Sequence, residues 1–139
     1  MDRKLGVVIA VRQLHGEGRQ PKVVTVKLGM PRRSKERDWE CPFSITGLGI
    51  RGIQYGRGVD AIQALCMALE GVRVLLERSG ARFSWSAGQA GDAGFDRFVP
   101  NLFGLRFSKR LNRMIDREVE RFARAIEMKH RRLPKSAHE

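Results

Sequence analysis

The chain has 139 residues, of which 42% are hydrophobic, a length and composition typical of one globular domain with a buried core. Its formal net charge is +12, and residues 106–135 hold 11 basic against four acidic side chains, a field that favours polyanionic partners without choosing among them. Runs of uninterrupted apolar residues are too short for a membrane-spanning helix, which excludes that class of protein.

The first predicted elements are two β-branched strands, residues 4–12 and 22–29. The connection between them, residues 15–21, is short and rich in turn residues, which predicts an antiparallel hairpin. Residues 1–4 lead directly into the first strand rather than into the apolar core of a signal peptide. A cytoplasmic location is therefore expected.

A charged stretch, residues 30–37, is predicted to be an exposed loop before a third strand, residues 38–45. The apolar side chains that alternate along this strand, and would share one face, are Trp39, Cys41, Phe43 and Ile45. Pro42 has no N–H for a ladder, so it predicts either an edge strand or a bulge. The glycine-rich residues 47–58 leave room for a short fourth strand.

A helical pattern follows from Val59 to Ser79. Asp60 is predicted to cap the start of this helix, with Gln63 three residues later completing an arrangement like a capping box. Gly80 occupies the position of a C-terminal cap glycine. The predicted apolar stripe consists of Ile62, Leu65, Leu69, Val72 and Leu76, widened by Ala61, Ala64 and Ala68. A helix this apolar is expected to be buried across the sheet.

The remaining residues predict a short strand at 82–86 returning to the sheet edge, a flexible glycine-rich loop at 88–94 and a long helix. Four aromatic anchors connect the loop to the helix, namely Phe95, Phe98, Phe103 and Phe107. Ser108, or a neighbour, is predicted to open the helix, and Pro134 ends it after about Leu133.

Together these elements predict an α+β fold, in which a three- or four-stranded antiparallel meander packs against one buried helix and a long basic C-terminal helix follows. The predicted division is an α+β domain over residues 1–105, the helix over residues 106–133 and a tail over residues 134–139. The helix is either an extension of the domain or a dimerisation element.

One face of the C-terminal helix is rich in arginine. At about 100° per residue, five arginines cluster along roughly 21 Å of one side. They are Arg110, Arg113, Arg117, Arg121 and Arg124. Guanidinium groups match phosphate, and a row of them would release counterions from nucleic acid. The alternative is a solvated face, because Glu120 with Arg124 and Glu127 with Arg131 have the spacing of intrahelical pairs.

The opposite face of the helix carries an apolar stripe. Its residues step by three or four positions and are Leu111, Ile115, Val119, Phe122 and Ile126. This stripe either packs on the same chain or pairs with a second copy, because a two-fold contact requires only one self-complementary face.

No metal site or disulfide framework is expected. Cys41 and Cys66 are too few and too far apart in the chain, so they are interpreted as buried reduced thiols. The three histidines have no ligand-spaced neighbours and are interpreted as surface residues, namely His15, His130 and His138.

Catalytic motifs are also missing from the sequence. The loop at 88–94 lacks the Lys-Ser/Thr of a phosphate-binding loop, and Ser84, Ser86 and Ser108 have no triad-like context. Asp92 and Asp96 have the spacing of turn and cap residues. We therefore expect no enzyme activity, no cofactor and no small-molecule substrate.

Three segments carry a resemblance to a family. Gly-Val-Asp-Ala-Ile-Gln-Ala-Leu at 58–65, Trp-Glu-Cys-Pro-Phe-Ser-Ile at 39–45 and Asp-Ala-Gly-Phe at 92–95 resemble a group of small bacterial proteins of unknown function. The resemblance covers about residues 4–95 and implies an antiparallel sheet that leads into a helix capped by glycine and aspartate. It implies no activity, and it does not extend to the basic C-terminal helix.

Two functional hypotheses remain. The first is a non-enzymatic bacterial interaction protein that self-associates and binds a protein partner. The alternative is a nucleic-acid-binding accessory protein that uses the arginine face of the C-terminal helix.

Overall fold

A computed structural model describes residues 4–18, 22–99 and 103–132 of the chain. It divides into two units, Met1–Phe98 and Val99–Glu139, which are described separately. The fold is α+β, as predicted, with an antiparallel sheet in the first unit and a long helix in the second. None of the helices in the described ranges is long and apolar enough to cross a membrane.

The sheet has six strands within the described residues. They are β1 (Val8–Gly16), β2 (Val23–Gly29), β3 (Arg32–Arg33), β4 (Trp39–Thr46), β5 (Gln54–Gly58) and β6 (Phe83–Ser84). Strands β1, β2, β4 and β5 form the predicted four-stranded antiparallel meander. The other two have two residues each: β6 pairs with the end of β1, and β3 pairs with β4. The predicted strand at 82–86 thus returns to the sheet edge, as expected.

The first strand is displaced from its predicted bounds. It begins at Val8 rather than residue 4, after Gly6, whose φ of 70° lies in the left-handed region. It continues to Gly16 because His15 pairs with both Val23 of β2 and Ser84 of β6. Residues 15 and 16 therefore belong to the strand rather than to the predicted connection.

The prediction that Pro42 places its strand at an edge is wrong, because β4 lies inside the sheet. Phe43 pairs with Leu28 of β2 on one side and with Gln54 of β5 on the other. On the β2 side, three residues separate Leu28 from Arg32, whereas two separate Phe43 from Glu40. This extra residue is typical of a bulge, the other predicted alternative, and it interrupts the ladder opposite Pro42.

Residues 30–37 are not wholly a loop. Arg32 and Arg33 form β3 against Glu40 and Trp39. An ion pair at 3.0 Å between the Arg32 Nε and a Glu40 carboxylate oxygen reinforces this short pairing. Charge pattern alone did not indicate this strand, because the cross-strand partners become neighbours only after the chain turns.

Helix α1 (Ala61–Arg78) has the predicted caps. The Gln63 N–H donates to the Asp60 carboxylate at 2.8 Å, and the Val59 N–H donates to the Gln63 side chain at 2.8 Å. Ser79 ends the helix, and Gly80 follows with a φ of 69°.

The buried face of α1 is narrower than the predicted stripe. Ala64, Ala68, Val72 and Leu76 are buried, whereas Leu65 and Leu69 are partly buried. Ile62 is 74% exposed, so its inclusion in the buried stripe was wrong. The first buried residues of α1 are alanines because the backbone of β5 approaches the helix too closely for larger side chains. A Cβ on Gly56 would lie 2.5 Å from the Ala64 carbonyl oxygen.

The core lies between the sheet and α1. The buried cluster consists of Leu14, Val24, Val26, Leu28, Cys41, Phe43, Ile45, Ala64, Ala68, Val72, Leu76 and Phe83. The predicted face of the third strand is confirmed, because Cys41, Phe43 and Ile45 belong to this cluster and Trp39 packs against it.

Candidate functional site

Helix α2 (Leu105–Arg132) carries both predicted surfaces. It begins three residues before Ser108, and the Ser108 N–H donates to the Gly104 carbonyl at 3.2 Å in its first turn. The predicted end at Leu133 and the tail after it lie outside the described residues. No residue of α2 is buried in the described chain, so both faces are presented on a continuous helix of 28 residues.

The arginine face is formed by Arg110, Arg113, Arg117, Arg121 and Arg124, all of which are exposed. Arg121 forms an ion pair at 3.2 Å with Glu118. Among the described residues, no carboxylate oxygen lies within 4 Å of the other four guanidinium groups. The predicted pair of Glu127 with Arg131 is present at 2.7 Å, whereas Glu120 and Arg124 form none. Intrahelical pairing within 4 Å therefore involves one of the five arginines of this face in the described chain, although Glu120 lies among Arg117, Arg121 and Arg124.

The apolar stripe is formed by Leu111, Ile115, Val119, Phe122 and Ile126. The last four are between 56% and 65% exposed, and Leu111 is half-buried. Met114 is also exposed, but it lies on the side of Arg110, Arg113 and Arg117 rather than in the stripe. Nothing in the described part of its own unit covers this surface. Large apolar side chains in a continuous exposed row are unusual on a monomer, which makes this stripe a candidate contact surface.

The aromatic residues predicted to anchor the chain before α2 behave differently from one another. Phe95 packs against the core of the first unit, and Phe98 is half-buried there. In the second unit Phe103 and Phe107 contact each other edge to face, with ring centroids 5.2 Å apart. Both remain exposed, so the prediction of anchors fails for this pair within its own unit.

The residues weighed for metal or catalytic chemistry have structural surroundings. The Cys41 thiol is buried, which raises its pKa to about 11, and it donates to the Gly29 carbonyl at 3.4 Å. Cys66 is also free but only half-buried. The Asp92 carboxylate accepts from the Gly94 N–H at 2.8 Å, the turn role expected for it. In the described ranges no three metal-ligating side chains cluster.

The histidines are on the surface where they are described. His15 and His130 are exposed, as predicted, and His138 lies outside the described residues. Neither described histidine belongs to the arginine face or to the apolar stripe.

Arg12 is a residue that sequence analysis did not single out. Its guanidinium lies 4.3 Å from the centre of the Trp85 ring and 4.9 Å from that of Phe95, and it donates to the Gly94 carbonyl at 2.6 Å. The available signal was weak: Arg12 follows the same alternation as buried Leu14, which places a cation on the core side of β1. The aromatic partners are more than 70 residues away in the sequence, so no local pattern identifies them.

Comparison with known proteins gives one family. No curated protein and no solved structure matches the chain. A family described as a domain of unknown function, DUF6968, matches residues 10–97, which include the whole meander from Ala10 onward, α1 and the segment up to Arg97. Helix α2 lies beyond the match. The chain therefore belongs to the DUF6968 family, in agreement with the resemblance to an uncharacterised family seen in its sequence.

Proposed function

We propose that this protein is a non-enzymatic interaction protein that self-associates through the apolar stripe of α2. The observation that supports this proposal is the exposure of the stripe along a helix without a buried residue. Covering one large aliphatic or aromatic side chain stabilises a protein by about 1.5 to 3 kcal/mol. Five such side chains in one row provide enough apolar surface to hold two helices together.

A second copy of the chain fits the stripe because the spacing of the stripe is nearly palindromic. In an antiparallel pair centred between residues 118 and 119, Leu111 would face Ile126 of the second copy. Ile115 would face Phe122 in the same register, and the two Val119 side chains would meet near the two-fold axis. Each apolar residue would thus meet another one, and both arginine faces would point away from the contact.

The double variant Val119→Asp with Phe122→Asp tests this contact. The two new carboxylates of each copy, four in the contact, would repel one another and remain unsolvated. We therefore expect the mass measured by sedimentation equilibrium to fall from that of a dimer to that of one chain. The matched control, Arg113→Gln with Arg117→Gln on the opposite face, should remain a dimer. A monomeric wild-type protein would contradict the proposal and would favour packing of the stripe on the same chain.

A second candidate function is the binding of nucleic acid by the arginine face. It is favoured by four guanidinium groups that form no ion pair within 4 Å among the described residues. Arginine pairs with phosphate through two donors, so a row of this kind follows a nucleic-acid backbone well. This function is compatible with self-association, because a dimer would present two such rows.

The triple variant Arg113→Gln, Arg117→Gln and Arg121→Gln tests the second candidate. We expect weaker binding to generic duplex DNA and a smaller dependence of the logarithm of affinity on the logarithm of salt concentration, by about 0.9 for each phosphate group that the variant no longer binds. The control removes three exposed cations of the first unit by Lys27→Gln, Arg51→Gln and Arg78→Gln. Equal effects of the two triple variants would mean that the arginine face contributes to binding only through the net charge of the protein.

A further inference from the structure

A cavity of about 450 Å³ lies within the first unit, between the sheet, α1 and residues 94–98. We refer to residues 94–98 as the strap. The apolar residues that line the cavity include Ala10, Val26, Leu28, Leu69, Phe95 and Phe98. Cavities that bind small molecules have volumes of roughly 300 to 1,000 Å³ and a mainly apolar lining with a few polar groups. This cavity has that size and that composition.

The strap is fastened at both ends by charged side chains. Arg12 donates to the carbonyl of Gly94 at 2.6 Å, and Glu70 accepts from the Phe98 N–H at 3.0 Å. Glu70 is itself fixed by two hydrogen bonds from Arg73, at 2.8 and 2.7 Å. Hydrogen bonds with ionised partners are stronger than neutral ones, so both ends of the strap are held independently of anything bound beneath it. The cavity is therefore a built feature of the unit rather than a gap beside a loose segment.

The charged side chains of the lining are Arg12, Arg97 and Asp96, two cations against one anion. The Arg12 guanidinium lies over the rings of both Trp85 and Phe95, which restricts its orientation. Apart from its bond to Gly94, its donors have no partner among the described residues. Arg97 is exposed, and no carboxylate oxygen of the described chain lies within 4 Å of its guanidinium. The Glu70 carboxylate lies close enough to Arg97 to interact with it electrostatically, but it is already bonded to Arg73, so the lining favours a ligand with one negative charge.

We propose that the cavity is a binding site for a small, mainly apolar molecule with one anionic group, such as a medium-chain carboxylate. The chain of the ligand would lie against Ala10, Leu69 and Phe98, and its carboxylate would bind at Arg97 and Arg12. This proposal is independent of the function proposed for α2, because every residue involved belongs to the first unit. It adds a small-molecule ligand that the sequence did not indicate.

Cys66 provides a reporter, because it also lines the cavity. Alkylation by iodoacetamide, followed by mass spectrometry, should modify Cys66 selectively in the full-length protein. The second thiol of the chain, Cys41, is an internal control: its burial and its raised pKa leave little thiolate at neutral pH. We expect decanoate, kept below its micellar concentration, to slow alkylation of Cys66 by roughly tenfold at about ten times its dissociation constant.

Decanol, which has the same chain without the charge, should protect Cys66 at least tenfold less well at equal concentration. Arg97→Gln should reduce protection by decanoate and leave protection by decanol unchanged. Because Arg97 is exposed, this variant keeps the fold and isolates the contribution of charge. Equal protection by decanoate and decanol, or no protection by decanoate in a protein that circular dichroism shows to be folded, would overturn the proposal.

A cavity-filling variant tests the position of the ligand. Leu69→Trp should remove protection by decanoate, whereas Ile62→Trp, the same type of change at an exposed position of the same helix, should preserve it. Unchanged affinity for decanoate in Leu69→Trp, measured by calorimetry, would place the ligand elsewhere and overturn the assignment. If Leu69→Trp does not fold, the comparison between Arg97→Gln and the wild type decides the question.

Discussion

At the scale of single residues, Gly56 of β5 sets how closely the sheet and α1 approach each other. A Cβ at this position would overlap the Ala68 backbone and lie 2.5 Å from the Ala64 carbonyl oxygen. Backbone atoms of a packed helix cannot rotate away as a side chain can, so Gly56→Ala must separate β5 from α1. We expect a loss of about 3 kcal/mol in the free energy of unfolding, measured by urea titration.

Gly16→Ala is the matched control for this substitution. Gly16 is also a strand glycine, but the nearest atom to an added Cβ is the Lys22 carbonyl oxygen at 3.4 Å, an ordinary contact. The control should change stability by less than about 1 kcal/mol. Similar losses in both variants would show that close approach to α1 is not the cause.

A separate prediction concerns Asp60, which caps α1. Asp60→Ala removes the acceptor for the Gln63 N–H and should lower the free energy of unfolding by about 1 kcal/mol. Asp60→Asn keeps an acceptor oxygen at the same position and should recover most of this stability in the same urea titration. Equal losses in the two variants would mean that charge, rather than the hydrogen bond, is responsible.

At the scale of elements, Glu70 joins α1 to the strap and makes stability depend on pH. Its hydrogen bonds with Arg73 are the main cause of a pKa below the usual 4.5, and the Phe98 N–H contributes further. Since the folded protein has the lower pKa, the stabilisation is complete above about pH 4.5 and is lost as the pH falls through the folded value.

Glu70→Gln should therefore lower the free energy of unfolding by about 1 to 2 kcal/mol near neutral pH. This loss should diminish as the pH falls below the usual carboxyl range. Urea titrations of both proteins at a series of pH values measure this difference. Glu77→Gln, which removes the more exposed partner of Arg73, is the control and should have a smaller effect. A difference that does not vary with pH would contradict the role of the ionised Glu70.

At the scale of the whole molecule, two tryptophans report on the first unit, whereas helical circular dichroism reports on both units, with the larger contribution from α2. Trp39 and Trp85 both lie in the first unit, whereas α2 is the longer of the two described helices. If α2 is held by a second copy, its thermal transition should rise with protein concentration, as mass action requires. We expect a hundredfold increase in concentration to raise the temperature of the part of the helical transition that comes from α2. The tryptophan fluorescence transition, and the part that comes from α1, should remain unchanged.

The Val119→Asp and Phe122→Asp double variant provides the control for this experiment. Its helical signal should melt at a lower temperature that does not depend on concentration, because an unpaired helix has no partner whose concentration could matter. A wild-type helical transition that is independent of concentration would argue against pairing of α2.

The sequence by itself determined the α+β class, the β1–β2 hairpin, the caps of α1 and the two faces of α2. Each of these depends on neighbours in the chain: alternation along a strand, a side-chain oxygen three residues from an N–H, or steps of three and four along a helix. The candidate surface on α2 belongs to the same group, because helical geometry alone gathers its five arginines on one side.

The tertiary structure decided what depends on distant residues. Contacts between backbone segments that are distant in sequence determine three features: the inner position of β4 despite Pro42, the alanine-rich buried face of α1 and the short strand β3. The cavity under the strap is of the same kind, since Arg12, Glu70 and residues 94–98 meet only in the folded unit. Periodicity records which side of an element is apolar, whereas the space between elements is set by how closely their backbones can approach.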